Sequence, residues 1–325
     1  MASPPFISVV VPILNEEESV ALLYEEIRAT LDGPRMAPGT RWELLFVDDY
    51  STDSSLRMML KLRDGDRRVR VVRFRRNFGQ TAALSAGFEH ARGDIVVTMD
   101  GDLQNDPADI PNLVAELDKG FDVVAGWRKA RQDGLILRRI PSIAANRLIN
   151  LVTGTRIHDT GCTLKAFRAK LVKNLPIYSE QHRFLPAMSR SSGARVAELV
   201  VNHRPRRFGH SKYGIGRAVR VLLDLFTIKL IAQFSHRPLH YFGLFSLPFA
   251  GMSALFLFFS SVDWGKMRLV DEWSRMMSFV IMLFFLLACY FVMLGLLSEL
   301  AVIASGMHRR RVLDRIMNSI ERSPT

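Results

Sequence analysis

Asp100-Gly101-Asp102 is where the residue types of this chain most plainly spell out chemistry. Two carboxylates flanking a glycine can approach one hard divalent cation, and that cation can bridge a diphosphate. A D-x-D triplet alone is common in ordinary turns. Here it follows the β-branched run from Gly93 to Met99 and leads into Gln104 and Asp106-Pro107, which places it at a strand end. Asp48-Asp49 closes a second apolar run. A carboxylate there can accept from a base imide or a ribose hydroxyl. The same stretch suits a helix start, with Ser51, Thr52 or Asp53 as cap. Both roles can hold together.

Such groups need a scaffold that gathers strand ends. Apolar, β-rich runs stand at Ile7–Val11, Leu44–Val47, Val69–Phe74, Ile95–Met99 and Asp122–Ala125. Helical patterns fill the gaps at about Glu16–Leu31, Ser51–Arg63, Gln80–Ala91 and Pro107–Lys119. Continuous apolar strands alternating with helices predict an α/β fold with a mostly parallel sheet covered on both faces. Ligands of such sheets bind beyond the carboxyl ends of the strands. Pro12-Ile13-Leu14-Asn15-Glu16 therefore joins the two acidic loops at one sheet edge.

The 325 residues are 48% hydrophobic and 23% charged, which excludes a disordered chain. The net charge of +12 favours an anionic partner: nucleic acid, an anionic membrane surface or a phosphorylated substrate. No nucleic-acid module is evident, and nucleic-acid binding is not expected. Two cysteines, Cys162 and Cys289, give neither a disulfide framework nor a cysteine-based zinc site. His158, His203 and His210 lack metal-ligand spacing.

The hydrophobicity is concentrated. No charge interrupts Tyr241–Val262 or Met276–Ser298, each long enough for a membrane span of about 20 residues. Pro248 is tolerable there as a kink. Ahead of them, residues 203–237 hold eight Lys or Arg against the single acid Asp224. Within this stretch Val219, Leu222, Leu223, Phe226, Leu230 and Ile231 recur at helical spacing, as in a helix lying in the membrane interface. His308-Arg309-Arg310-Arg311 follows the second span, and basic outer flanks put both termini in the cytoplasm. The N-terminal apolar stretch contains Pro12 and runs into Glu16-Glu17-Glu18, so it does not read as a signal peptide.

Seven motifs in order make the chain resemble a known family. Residues 9–18 (VVVPILNEEE), 47–53 (VDDYSTD), 76–80 (RNFGQ), 99–104 (MDGDLQ) and 126–128 (GWR) look like the family 2 inverting glycosyltransferases. Asp159-Thr160-Gly161 and Gly209-His210-Ser211-Lys212-Tyr213 are most similar to its polyprenyl-phosphate branch, the group of dolichyl-phosphate mannose synthase and bacterial undecaprenyl-phosphate glucosyltransferases. The resemblance spans about residues 1–215 by motif and the two-span tail by architecture. Tyr50 and Gly101 depart from the usual Gly and Ala, and Asn105-Asp106-Pro107 stands where a double proline is common.

The resemblance implies a GT-A-type, Rossmann-like catalytic domain at 1–210 and a basic juxtamembrane amphipathic region at 211–237. It further implies two membrane helices at about 241–262 and 276–304 within 238–325, with a basic cytoplasmic tail. Pro12, Leu14, Glu16, Val47 and Asp49 would contact the nucleotide. Asp100, Asp102 and Gln104 would hold Mg²⁺ or Mn²⁺ and, with Gly101, the diphosphate. Arg128 would face the donor, and Arg206 and Lys212 would close over the phosphates. Asp159, with Asp102, would carry catalysis, as a base or as an orienting group. The activity implied is transfer of one sugar from a nucleotide-sugar, UDP preferred over GDP, to undecaprenyl or dolichyl phosphate at the cytoplasmic face of a bacterial inner membrane. Two rivals are an enzyme extending a glycan or lipid-linked saccharide and a catalytically silent nucleotide-binding scaffold. Absence of Gln-x-x-Arg-Trp argues against a processive synthase. A homo-oligomer is left open.

Overall fold

The computed structural model describes residues 5–129, 157–175, 181–191, 193–205, 238–263 and 272–304. The chain separates into two units, Met1–Phe226 and Thr227–Thr325.

The first unit is built on a seven-stranded sheet: β1 (Phe6–Ile13), β2 (Arg41–Asp48), β3 (Val69–Arg73), β4 (Ile95–Thr98), β5 (Val123–Trp127), β6 (Lys165–Arg168) and β7 (Val196–Val200). The spatial order is β3-β2-β1-β4-β6-β5-β7. All neighbours run parallel except β6, which is inserted antiparallel between β4 and β5. The first five strands are those the apolar runs predict. β6 and β7 were not expected from the sequence.

Alternation along the strands feeds two cores. Ile7, Val9, Val11 and Ile13 point to one face with Leu44 and Phe46, while Val10 points to the other with Leu45 and Val47. The first face is covered by α1 (Val20–Leu31), α2 (Ser55–Gly65) and α4 (Ile110–Asp118); the second receives α3 (Gln80–His90) and the short α5 (Ala169–Val172) and α6 (Leu185–Ser191). α1 buries Val20, Leu23, Tyr24, Ile27 and Leu31, the spacing of one helical face. Each fully buried aliphatic side chain contributes about 1.5–3 kcal/mol, so two such layers hold the sheet edge rigid.

Three helices start later than expected. α1 begins at Val20, four residues on from Glu16. Asn15 has φ +55°, which redirects the chain after β1, and Glu16 O accepts from both the Ser19 and Val20 N–H groups in the turn ahead of the helix. α2 begins at Ser55, where the Asp53 carboxylate accepts from the Ser55 N–H. A 3₁₀ turn over Pro107–Asp109 precedes α4.

In the second unit α7 (Pro238–Asp263) and α8 (Glu272–Ala304) pack on each other through Phe249–Phe291 and Phe256–Phe284 ring contacts. Stretches of 24 and 26 residues, Pro238–Ser261 and Met276–Ala301, are long and apolar enough to cross a membrane. Pro248 lies within α7, as tolerated. The juxtamembrane region at 211–237 lies outside the described residues.

Candidate active site

The loops after β1, β2 and β4 meet at one sheet edge. The three non-glycine residues with positive φ in the described chain sit in them: Asn15 at 55°, Tyr50 at 67° and Leu103 at 62°. Such geometry costs a residue like Tyr or Leu roughly 1–3 kcal/mol and clusters where function fixes the backbone. The loops are stitched together. The Asp49 N–H donates to Ile13 O at 2.8 Å, the Asn15 N–H to Ser51 Oγ at 3.1 Å, and the Thr52 N–H to Asn15 Oδ1 at 2.8 Å. Gly101 is buried against Pro12, Ile13 and Glu16, and a Cβ there would come within 2.5 Å of Ile13 Cδ1. That close approach packs the Asp100–Asp102 turn onto the loop after β1.

Asp100 is held at both oxygens. Gln80 Nε2 donates to Oδ1 at 2.7 Å and Thr163 Oγ1 to Oδ2 at 2.7 Å. Asp102 is buried, and its Oδ1 accepts from the Gln104 N–H at 3.1 Å. Burial first, then the charge of Asp102, pushes the Asp100 carboxyl up to about 6. Among the described residues no cluster of three or more His, Cys, Asp or Glu converges as a metal site. Asp100 and Asp102 nevertheless form a hard oxygen pair whose mutual repulsion a divalent cation would relieve. They fit such an ion as a half-site completed by a ligand's phosphate oxygens.

Arg128, just past β5, and Asp159 form a bidentate pair: Nε to Oδ2 at 2.7 Å and Nη2 to Oδ1 at 3.0 Å. The Gly161 N–H also donates to Oδ1 at 3.1 Å. Burial raises the Asp159 carboxyl, but the Arg128 hydrogen bond and charge outweigh it and hold the group below the usual range. Asp159 is therefore ionised and engaged, a poor proton acceptor.

The remaining expected residues are placed as follows. Pro12 lies one residue before the end of β1, paired with Val47, and Leu14, Glu16 and Gln104 are half-buried in the loops. Val47 is fully buried in the second core, which leaves only its backbone for a ligand. Both Asp49 oxygens accept from the loop before α3, from the Phe78 N–H at 2.7 Å and the Gly79 N–H at 2.9 Å. Asp49 thus anchors the segment that delivers Gln80. The Arg204 N–H donates to Gln104 O, and its guanidinium meets Asp106 and Glu26. Arg206 and Lys212 lie outside the described residues.

Sequence reasoning missed Gln80, Thr163 and Lys165. Gln80 closes the Arg-Asn-Phe-Gly-Gln motif and was legible as part of it; the other two depend on β6. Lys165 is 2% exposed. Burial pulls its ammonium down to about 8, against the opposing pull of Cys162, Asp159 and Asp100. Thr81 Oγ1 lies 2.7 Å from His182 Nδ1, tying the start of α3 to the 3₁₀ turn Gln181–Phe184.

Comparison with known proteins gives the family and the fold. The glycosyl transferase family 2 profile matches residues 8–175. The chain is 45% identical to a dodecaprenyl-phosphate galacturonate synthase of Rhizobium johnstonii, over 79% of this chain and 76% of the relative. It is 37% identical to an undecaprenyl-phosphate 4-deoxy-4-formamido-L-arabinose transferase of Shewanella sediminis, over 90% of this chain and 86% of that one. Among solved structures, glucosyl-3-phosphoglycerate synthase of Mycobacterium tuberculosis, in complex with Mn²⁺, UDP and glucosyl-3-phosphoglycerate, shares the fold. Its TM-score is 0.53 at 21% identity, over 69% of this chain and 80% of that one.

Proposed function

The chain belongs to glycosyl transferase family 2, and we propose that it moves one sugar from a nucleoside diphosphate sugar to a polyprenyl phosphate, inverting the anomeric centre. One observation carries this reading. The Asp100–Asp102 turn and the Arg128–Asp159 pair meet through Thr163 and the 159–163 turn, in a chain that also has two helices able to cross a membrane. The names of the two relatives above share a polyprenyl phosphate and differ in the sugar. The lipid phosphate, rather than one sugar, is what the likeness supports.

The loops holding Pro12, Leu14, Glu16, Asp49 and Gly101 form the donor's nucleotide and diphosphate cradle, with UDP the first nucleotide to test. Asp100 and Asp102, with Gln104 beside them, would hold Mg²⁺ or Mn²⁺, which when bound neutralises charge on the leaving diphosphate. Arg128 presents its guanidinium to the donor, and Arg206 and Lys212 add positive charge at the phosphates. The acceptor phosphate is already an anion and needs no general base. Asp159 instead fixes Arg128 and places a negative charge near the sugar. The reaction is assigned to the cytoplasmic face of an inner membrane, with both chain termini on that side.

The test is release of nucleoside diphosphate by the purified chain from a panel of UDP- and GDP-sugars, with and without undecaprenyl phosphate. Release that requires the lipid is expected. Release indifferent to it, or dependent instead on a saccharide acceptor, refutes the reading.

A further inference from the structure

We propose that Lys165 and Glu198 are a pair of positioning residues that clamp the turn 158–162 from its two edges and so deliver Asp159 to Arg128 and Thr163 to Asp100. What the turn is for rests on the transfer reading above; the clamp itself stands on geometry.

The sheet register lines up one row of side chains. Thr98 on β4 pairs with Lys165 on β6, Lys165 with Ala125 on β5, and Ala125 with Glu198 on β7. Residues paired in register stand on the same face of a sheet. Three of the four make bonds to the same short segment. Thr98 Oγ1 donates to Thr163 O at 2.7 Å. Lys165 Nζ donates to Thr160 O at 3.4 Å and to Cys162 O. Glu198 Oε1 accepts from the His158 N–H at 2.8 Å and the Asp159 N–H at 3.2 Å, while its Oε2 lies 2.8 Å from His158 Nδ1. The fourth, Ala125, is fully buried and small, which leaves room between the two charged neighbours.

The signs match the backbone. The turn offers N–H groups at 158 and 159, and a carboxylate receives them. It offers carbonyls at 160 and 162, and an ammonium serves them. Charge-assisted bonds of this kind are the stronger ones. An apolar residue at 165 would leave two carbonyls facing a dry interior. The segment so fixed carries the Asp159 carboxylate at one end and the Thr163 hydroxyl at the other. Those two groups hold the functional cation, Arg128, and the first carboxylate of the acidic pair, Asp100. One rigid turn thereby sets the distance between the two halves of the site. Gly126 permits this packing: a Cβ there would come within 2.8 Å of Leu164 O and 2.9 Å of Cys162 Sγ.

The experiment uses the full chain in detergent and the variants Lys165→Met, Lys165→Gln, Glu198→Ala and Glu198→Gln, each alone and combined with Asp159→Asn. The first readout is amide exchange of residues 158–164, which needs no activity. Lys165→Met and Glu198→Ala should speed it about tenfold or more while β1 and β4 keep their protection. The second is steady-state transfer. The same variants should lose about 30-fold or more in kcat with the donor KM within about threefold, and add little to the loss caused by Asp159→Asn. Lys165→Gln, which keeps two N–H donors, and Glu198→Gln, which keeps a carbonyl acceptor, should recover much of both. Unchanged exchange at 158–164 overturns the clamp, and losses that multiply with that of Asp159→Asn overturn the positioning role. Should Lys165→Met fail to fold, exchange in Glu198→Ala decides, since that variant removes the acceptor of the His158 and Asp159 N–H groups. A wild-type chain without transfer refutes the functional reading alone, since the exchange arm still decides the clamp.

Discussion

Arg128 and Asp159 are 31 residues apart in the chain, yet the Nε of the arginine lies 2.7 Å from one oxygen of the aspartate and its Nη2 3.0 Å from the other. The two were expected separately, one facing a donor and one as a base or orienting group. Their pairing bears on the role proposed for Asp159. A carboxylate accepting two guanidinium bonds and a Gly161 N–H has its oxygens committed, so orientation is the role that fits.

Arg128→Gln leaves that carboxylate buried without its cation. The paired side chains are only 12% and 10% exposed, and breaking such a pair from one side costs about 3–5 kcal/mol. In the intact chain Asp159 titrates below the usual carboxylate range. Its stabilisation is complete above the unfolded value and lost as pH falls through the depressed folded value. In the variant, burial is opposed only by the Gly161 and residue-128 backbone N–H groups and the Lys165 charge, and it pushes the group up. Protonation then favours the folded state, so the stability gap between the two proteins should narrow from about pH 7 to about pH 5. Thermal unfolding of both proteins across that range checks this; a constant gap contradicts it.

Gln80→Ala removes the donor to Asp100 Oδ1. A hydrogen bond to a charged group is worth about 1.5–3 kcal/mol, so affinity for UDP in the presence of Mn²⁺ should fall about tenfold or more. Titration calorimetry on the two proteins measures it. Equal affinities would detach Gln80 from the site.

Asp102→Asn keeps the shape and removes the charge of a buried carboxylate. Transfer should stop, melting should shift little, and EDTA should silence the wild type. Full wild-type turnover in EDTA would rule out the divalent role assigned to Asp100 and Asp102.

The two apolar helices make a topology prediction. A cysteine at Ser261, near the end of α7, should react with an impermeant thiol reagent from outside the cytoplasm. A cysteine at Ser319 should react only from inside. The reverse labelling would overturn the orientation.

The parts legible in the sequence are those that local pattern determines. Five strands announce themselves as apolar runs, and the Asp100-Gly101-Asp102 turn follows directly from one of them. β6 and β7 do not. Lys165–Arg168 is four residues with a cation at each end, and Val196–Val200 carries Glu198 at its centre. Their strand character comes from the neighbours they pair with. Thr163 and Lys165 are site residues only because β6 enters antiparallel beside β4, a long-range event without a local signal. Asp49 illustrates the converse. Its place at the site edge was legible, but its hydrogen bonds to Phe78 and Gly79 were hidden until the loop was folded. Val47 belongs to the core because the strand period turns its side chain away from the edge.

The most direct measurement is the mass of the lipid product after the purified chain is incubated with undecaprenyl phosphate, Mn²⁺ and a panel of nucleotide-sugars. A lipid heavier by one sugar and still carrying a single phosphate, formed by the wild type and not by Asp102→Asn, is the predicted result. A lipid diphosphate sugar, or a lengthened glycan with the lipid phosphate unchanged, would contradict it.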